Sequence, residues 1–367
     1  MKLVISSTIL LALLLLLASW GWQGHYMINH RAELSYNQEM MQFYDWSQLL
    51  AEHASDADER KAWDPDEGPK HYIDIDNYPE FVSTGAIPQD WDQVIATHGS
   101  SFVYDQGILP WATRTTFDSL REAFQREDWD QAILFAADLG HYVADGHMPL
   151  HITRNYNGQY TGNNGIHGRY ESDMVNAFAG EIYYGGMPVT YIEDPQDFIF
   201  GYLYENYQYV DSVIMADDYA QAVSGSTGSQ EYLNALWEKT GNFTTRLFRW
   251  SSYRLACLIY TAWVDAGSPL ISGVFPWPEN YRHWNLKILQ NPVREKLLVS
   301  FTLPGPETVT ASLTSPSGEV ISLTDNEEFE QGKHLISYPT ATLRPGLWLL
   351  NLSVGNKHES AKVILLH

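Results

Sequence analysis

The sequence predicts a mainly α protein, in which a multi-helix domain is followed by a small antiparallel β-sandwich. Two patterns support this prediction. Up to about residue 270, apolar residues recur mostly at helical spacing. Beyond that point, short alternating runs are separated by turn signals such as Pro304-Gly305, Ser317-Gly318 and Pro345-Gly346. At 367 residues, the chain is long enough for two domains with separate cores.

The composition excludes several classes of protein. Hydrophobic residues make up 44% and aromatic residues 14%, which indicates a globular chain. The formal net charge of −23 argues against nucleic-acid binding through a broad basic surface. It does not exclude a nuclease, because bound metal ions can supply positive charge locally. The single cysteine, Cys257, excludes an internal disulfide and a zinc site made of thiolates, and its apolar neighbours predict that it is buried.

The N-terminus has the pattern of a secretory signal peptide. Residues 1–19 read MKLVISSTILLALLLLLAS, with one lysine, an apolar run and two small residues at the end. Cleavage there would make Trp20 the new N-terminus. No later segment approaches 18 unbroken apolar residues, so we expect an exported protein without a permanent membrane span.

The predicted helical domain covers residues 20–275. Helical patterns lie at 25–53, 113–126, 129–146, 195–215, 230–236 and 243–266. An acidic, loop-like stretch, HASDADERKAWDPDEGPKHYIDIDNY, follows the first of them. A linker is expected at 276–290, and the β-sandwich at 291–367, with strands LLVSFTL, VTASLTS, VISLTD, HLISYPT, LWLLNLSV and SAKVILLH.

Five possible metal ligands fall within about thirty residues, in the stretch LGHYVADGHMPLHITRNYNGQYTGNNGIHGRYE. Two of them are four residues apart on a predicted helix and therefore share a face. Pro149 ends that helix, and another ligand pair with the same spacing follows a loop. Imidazole and carboxylate are ligands that zinc accepts. The pattern predicts a polynuclear metal site that includes His141, Asp145, His151, His167 and Glu171.

This stretch resembles the trinuclear-zinc superfamily that joins bacterial phospholipase C with the single-strand-specific nucleases. The family motif, H-x-x-x-D-x-x-x-P-[LM]-H followed by a His-x-x-x-carboxylate pair, matches in residue type and spacing. The resemblance covers roughly residues 20–270 and implies three zinc ions. The first set of ligands is Asp56, His71, His141 and Asp145. The second is the N-terminus of Trp20, with His25 and the bridging Asp145, and the third is His151, His167 and Glu171.

Some assignments within this resemblance stay open. Asp58 competes with Asp56, which we prefer because its distance from His71 is nearer the family's habit; Asp56 is also assigned the catalytic role of orienting the attacking water. His30 competes with His25. His147 is expected to support the ligands from outside their shell. Arg60 or Lys61 could place positive charge beside the reacting phosphorus, but a solvated surface pair is the preferred explanation.

The C-terminal segment resembles the sorting domain of the bacterial type IX secretion system. The matching features are the opening Asn291-Pro292-Val293, the strand containing Gly346 and Trp348, and a terminal Lys-Val-Ile strand. Trp348 stands where the family usually has Tyr. The resemblance implies passage through the outer-membrane secretion machinery to the medium or the cell surface. A substrate- or surface-binding sandwich is the alternative.

These features predict a secreted zinc-dependent phosphodiesterase that uses a metal-activated water. A phospholipase C-like enzyme acting on phospholipid is preferred, because Glu171 stands where nucleases tend to have Asp and because the chain is acidic. A single-strand-specific nuclease or nucleotidase is the alternative, favoured by the spacing from Trp20 to His25. A metal-bearing surface-binding protein without turnover is the third possibility.

Overall fold

The structure is a computed structural model that describes residues 21–271, 284, 286–289, 291–303, 305–315, 319–354 and 357–366. The chain divides into two compact units, Met1–Ser272 and Gly273–His367. The first contains helices and the second antiparallel sheets, which confirms the predicted fold class. The predicted signal peptide, Trp20 and most of the expected linker at 276–290 lie outside the described residues.

Thirteen α-helical segments are present among the described residues of the first unit, and twelve of them are numbered. They are α1 Gly21–Arg31, α2 Trp46–Glu52, α3 Asp56–Arg60, α4 Pro79–Thr84, α5 Trp91–His98, α6 Ser100–Asp105, α7 Leu109–Gln125, α8 Trp129–Asp145, α9 Ile166–Gly168, α10 Pro195–Tyr207, α11 Val210–Ser224 and α12 Gln230–Asp265. The α9 segment continues as a π-helical turn over Arg169–Met174 and a last turn, Val175–Phe178. Short 3-10 turns lie at Ala32–Ser35, Gln38–Phe43, Gly68–His71, Ile75–Asn77, Pro149–His151 and Ala179–Glu181.

Four predicted helices differ from the observed ones. The pattern at 25–53 is interrupted because the side chain of Asn37 accepts a hydrogen bond from the Met40 amide and starts a new turn. The pattern at 195–215 is two helices, with a break where the Gln208 side chain donates to the Glu205 carbonyl. The patterns at 230–236 and 243–266 form one helix that passes through Gly241, whose missing Cβ leaves space for the Trp237 ring.

The end of α8 lies between two hydrophobic clusters. Ala144, Met148 and Leu150 belong to a cluster that includes Met27 and Tyr170. Tyr142 and Ile152 belong to a second cluster with residues such as Ile73, Leu109 and Phe200. The polar side chains on this stretch are therefore enclosed by apolar packing on both sides, and burial of that kind requires partners for their charges.

The second unit contains two antiparallel sheets that share one core. One sheet has the order β1-β2-β5 and the other β4-β3-β6-β7. The strands are β1 Lys287–Ile288, β2 Lys296–Leu303, β3 Glu307–Thr314, β4 Val320–Phe329, β5 Gly332–Pro339, β6 Gly346–Val354 and β7 Lys357–Leu365. Strand β1, which pairs with β2, falls within the expected linker. Side chains from both sheets form a single cluster that includes Val299, Phe301, Leu313, Leu350 and Val363.

The opening of this unit is tied to its last strand. The Asn291 side chain donates to the Lys362 carbonyl at 2.8 Å and accepts from the Ile364 amide at 2.9 Å. The backbone of Val293 continues this pairing with Ile364 and Leu366. The Asn-Pro-Val sequence and the terminal Lys-Val-Ile strand are thus neighbours in space.

Within the described residues, no helix has the length and apolar character needed to cross a membrane.

Candidate metal centre

The centre is organised around Asp145, the last residue of α8. Its side chain is fully buried, and histidines from three other parts of the chain approach its two oxygens. Oδ2 lies 3.0 Å from Nδ1 of His71 and 3.3 Å from Nε2 of His141. Oδ1 lies 3.6 Å from Nε2 of His25 and 3.2 Å from Nδ1 of His151. Asp145 is therefore placed to bridge two ligand groups.

The first ligand group contains Asp58, His71 and His141. Nδ1 of His71 lies 2.9 Å from Nε2 of His141, and Oδ1 of Asp58 lies 3.5 and 3.6 Å from these two nitrogens. A tetrahedral zinc ion with ligands at about 2.0–2.1 Å would separate them by roughly 3.3 Å. The other ring nitrogen of His141 contacts the Ala54 carbonyl at 2.7 Å, which leaves Nε2 facing the group.

The second group contains His25, His141 and Asp145. His25 comes from the middle of α1, where it is fully buried. Its ring stacks on that of His141, with centroids 3.9 Å apart and planes 4° from parallel. Trp20, the remaining predicted ligand of this group, lies outside the described residues, one position before α1 begins.

The third group contains His151, His167 and Glu171. Oε2 of Glu171 lies 2.6 Å from Nε2 of His167 and 3.5 Å from Nε2 of His151. Nδ1 of His151 contacts the His71 carbonyl at 2.8 Å, and Nδ1 of His167 contacts the Tyr156 carbonyl at 3.0 Å. Both rings are therefore held by the backbone on one side and face Glu171 on the other.

Several buried atoms of the centre have no hydrogen-bond partner among the described residues. They include Oε1 of Glu171, while Oε2 of Glu171 and Nε2 of His151 have only the other ligands of their group as close polar neighbours. Such buried atoms have lost their hydration, and leaving them without well-formed hydrogen bonds is costly. These atoms and their neighbours are ligand types that zinc accepts, and their spacing fits shared coordination of a cation. The residues present therefore fit a divalent metal ion.

For Asp145, His141 and His151, the charges of neighbouring residues outweigh the effect of burial on the pKa. Burial alone would raise the pKa of Asp145, but His141 and His151 hold this pKa well below its usual value. Burial also disfavours protonated histidine, yet Asp145 and Asp58 raise the pKa of His141 to about 9. For His151, Asp145 likewise overcomes burial and raises the pKa to about 10. Burial and then His141 lower the pKa of His25 to about 3.

The preference for Asp56 over Asp58 is not supported by the geometry. Asp56 accepts from Nδ1 of His53 at 2.7 Å on a half-exposed surface, and it belongs to none of the three groups found among the described residues. Asp58 takes its place beside His71 and His141. The two aspartates are two residues apart on α3 and so point in nearly opposite directions around its axis. The catalytic role predicted for Asp56 has no geometric support either.

The remaining predictions have mixed outcomes. His30 stacks on Tyr26 and is not in the three groups, whereas His25 is. Nε2 of His147 contacts Nη1 of Arg254 at 3.0 Å, and burial, then Arg254, hold the pKa of His147 well below its usual value. The described hydrogen-bond partners of His147 are thus Arg254 and the Val143 carbonyl, and neither residue belongs to the three ligand groups.

The two cations that sequence reasoning left open have defined partners. Arg60 forms a two-pronged ion pair with Asp138, at 3.0 and 2.8 Å, and is not a solvated surface residue. Nζ of Lys61 lies 2.7 Å from Oδ1 of Asp58, at the edge of the first ligand group.

Cys257 is a free thiol, and it is buried, as its apolar neighbours predicted.

Comparisons with known proteins give little help at the level of sequence. No family model matches the chain, and no curated protein matches it. Among solved structures, the chain is similar to the alpha toxin from Clostridium absonum, with 9% identity and a TM-score of 0.43 over 93% of this chain and 96% of that one. It is also similar to the alpha-toxin of Clostridium perfringens from the avian strain SWCP, with 9% identity and a TM-score of 0.42 over 92% and 96%. The evidence for function is therefore the geometry of the side chains.

Proposed function

We propose that this protein is a metal-dependent hydrolase of phosphoric esters, most similar in activity to phospholipase C, and that zinc is its metal. The observation that carries the proposal is the convergence of three His and carboxylate groups around the buried Asp145. The resemblance of the motif from His141 to Glu171 to the trinuclear-zinc phosphodiesterases supports the same function.

Each ion would have its own ligands. Asp58, His71, His141 and Asp145 would hold one, and His25 with the other oxygen of Asp145 would hold the second, completed by the terminal amine of Trp20 after cleavage. His151, His167 and Glu171 would hold the third. Ions bound there lower the pKa of coordinated water and neutralise negative charge on a phosphoryl group.

The protein's own residues have three tasks in this scheme. Asp145 fixes the separation of the first two groups, because one carboxylate faces both. The mutual hydrogen bonds between the His151 turn and the segment after His71 hold the third group against the first: His151 contacts the His71 carbonyl, and the Ile73 amide donates to the His151 carbonyl at 2.8 Å. The clusters on either side of α8 exclude bulk water from the back of the centre.

The loop between His151 and His167 supports a phospholipid over a nucleic acid as substrate. It carries the exposed aromatic residues Tyr156 and Tyr160, and the Tyr156 carbonyl contacts the ligand His167. Arg154 is the described cation on this loop, and its guanidinium lies 5.5 Å from the Tyr160 ring. An aromatic loop with one cation suits a lipid head group better than a long polyanion, which an acidic protein repels. The same tyrosines could stack on bases, so a nuclease or nucleotidase is the second candidate.

The test is an assay of the purified, zinc-loaded protein after removal of residues 1–19. Phosphatidylcholine vesicles and single-stranded DNA are compared at equal protein concentration, with His151→Ala as the inactive control. Faster release of phosphocholine supports the proposal, and faster cleavage of DNA favours the nuclease. Turnover of neither substrate, with the metal bound, would favour a surface-binding protein.

We also propose that the chain is exported, with residues 1–19 as signal peptide and residues 291–367 as a sorting domain for type IX secretion. The hydrogen bonds between Asn291 and the terminal strand support a single module that contains both the Asn-Pro-Val sequence and the last strand. Expression in a host with that secretion system tests the proposal. Loss of export after deletion of 291–367 is expected, and unchanged export would contradict it.

A further inference from the structure

Glu67 is a fully buried carboxylate that lies outside the predicted ligand motif. It lies in the acidic loop before His71, immediately before the 3-10 turn Gly68–His71. Its Oε1 accepts a short hydrogen bond from the hydroxyl of Tyr142, and its Oε2 lies 2.8 Å from Nζ of Lys70. Arg60 reaches the same carboxylate at 3.3 Å. A buried group with this many donors has a fixed position.

Glu67 also faces the side of His71 that points away from the ligand group. Nδ1 of His71 is directed at His141, Asp58 and Asp145. Nε2 lies 3.4 Å from Oε1 of Glu67, an ion-pair distance slightly beyond that of an ordinary hydrogen bond. This nitrogen is buried and makes no hydrogen bond in standard geometry among the described residues, so the Glu67 carboxylate is its facing acceptor group. The two nitrogens of His71 therefore have different environments, one of ligands and one of a single carboxylate.

We infer that Glu67 is a positioning residue that keeps the proton of His71 on Nε2 and so leaves the lone pair of Nδ1 for the metal. A neutral imidazole binds metal through one nitrogen only, and the hydrogen bond made by the other nitrogen selects it. This inference rests on the proposed function, since it requires a metal ion at the group formed by Asp58, His71 and His141.

The same carboxylate connects His71 to the helix that carries the neighbouring ligands. Tyr142 follows His141 directly on α8, and Asp138, the partner of Arg60, lies one turn earlier on that helix. Glu67 thus contacts both the turn that presents His71 and, through Tyr142 and Arg60, the helix that presents His141 and Asp145. Its effect is therefore expected at the first ligand group and not at the third, whose histidines are held by backbone carbonyls.

The test compares Glu67→Ala and Glu67→Gln with the wild-type protein. Metal affinity is measured by titration with zinc in competition with a chromophoric chelator, and the retained ions are counted by elemental analysis. We expect Glu67→Ala to lower the zinc affinity of the group formed by Asp58, His71 and His141 by about 10- to 100-fold. This is the usual effect of replacing a residue that supports a metal-bound histidine. Glu67→Gln should restore most of the affinity, because its amide oxygen keeps an acceptor facing Nε2. Wild-type affinity in Glu67→Ala would overturn the inference.

A second measurement uses no variant at position 67, so its outcome does not depend on whether such a variant folds. The wild-type protein, labelled with 15N in histidine and loaded with cadmium-113, is examined by NMR, with the His71 signals identified by their loss in His71→Gln. Coupling of the metal to Nδ1 and a proton on Nε2 are expected, and coupling to Nε2 would overturn the inference. A wild-type protein that binds no metal would remove the proposed function as well, whereas normal binding and hydrolysis with metal on Nε2 would remove this inference alone.

Discussion

Nε2 of His141 lies 2.9 Å from Nδ1 of His71, although seventy residues separate the two in the chain. In neutral rings Nε2 of His141 carries a lone pair, because Nδ1 faces the Ala54 carbonyl, and it repels the lone pair on Nδ1 of His71 when the proton of His71 is on Nε2. Without metal, Asp145 and Asp58 favour a proton on His141, and that proton relieves the repulsion. A bound ion would replace that proton, so metal binding and protonation of these histidines should be coupled.

Replacement of Asp58, and not of Asp56, should remove activity. Asp58→Asn takes away a charged ligand of the first group, and we expect kcat/KM for phosphatidylcholine to fall by more than about 100-fold, beyond the usual effect of an indirect partner. Asp56→Asn is the matched control, because this residue is the partner of His53. A larger loss in Asp56→Asn than in Asp58→Asn would show that the ligand was assigned to the wrong aspartate.

Glu171→Gln should affect one ligand group and spare the other two. Glu171 contacts His151 and His167, while the first two groups share Asp145 and His141. Elemental analysis of the purified variant should therefore find one ion fewer per chain than in the wild-type protein, with hydrolysis abolished. Loss of all metal from this variant would mean that the groups are not separable.

Without metal, the stability of the protein should fall as the pH rises. The folded-state pKa values of His141 and His151, about 9 and about 10, lie above the ordinary value near 6.5. Their contribution is fully present below pH 6.5 and is lost as the pH rises through 9 to 10. Differences of this size correspond to roughly 3 kcal/mol for His141 and roughly 5 kcal/mol for His151 at most.

The measurement is urea unfolding of the chelator-treated protein at pH 6 and pH 10. His151→Gln is the control and should lose less stability between the two conditions. Zinc-loaded protein should also lose less, because the metal already replaces the protons. Equal stability of the metal-free wild-type protein at both values would refute the proposed coupling of these histidines to Asp145.

Gly140→Ala should destabilise the fold strongly. A Cβ at position 140 would lie 2.1 Å from Oδ1 of Asn29, whose amide donates to the Leu50 and Ala137 carbonyls at 3.0 Å each. The clash displaces a buried, hydrogen-bonded side chain next to His141, and we expect a loss of about 2–4 kcal/mol in the free energy of unfolding.

Gly201→Ala provides the matched control for this substitution. Gly201 is also helical, but nothing lies within 4 Å of the position of its added Cβ. Alanine at this position should leave the free energy of unfolding unchanged or raise it by up to about 1 kcal/mol, because alanine favours the helix more than glycine does. Urea unfolding of both variants at one zinc concentration makes the comparison. A Gly140→Ala protein as stable as Gly201→Ala would show that α1 and α8 are not packed as described.

The sequence was most informative where ligands are close along the chain. His141 and Asp145 share a helix face, and the pairing of His167 with Glu171 has the same four-residue spacing, so local geometry was enough to predict both. Asp58 could not be separated from Asp56 in this way. A five-residue helix has no hydrophobic stripe long enough to fix its rotation, and only tertiary packing decides which aspartate faces inward.

Glu67 shows a different limit. It precedes His71 by four residues, a spacing that could have indicated a pair, but it stands in a stretch rich in acidic residues. Lys70 and Arg60 are near it in the chain, but its burial also depends on Tyr142, which comes from α8. A sequence pattern does not distinguish one buried carboxylate from several exposed ones when such a distant partner decides which is buried.

The metal content of the purified, processed protein tests the central claim most directly. After gel filtration in the absence of free metal, elemental analysis should find one divalent ion for each of the three ligand groups, predominantly zinc. A protein that retains no divalent metal, even after incubation with excess zinc, would contradict the claim that these histidines and carboxylates form a metal centre.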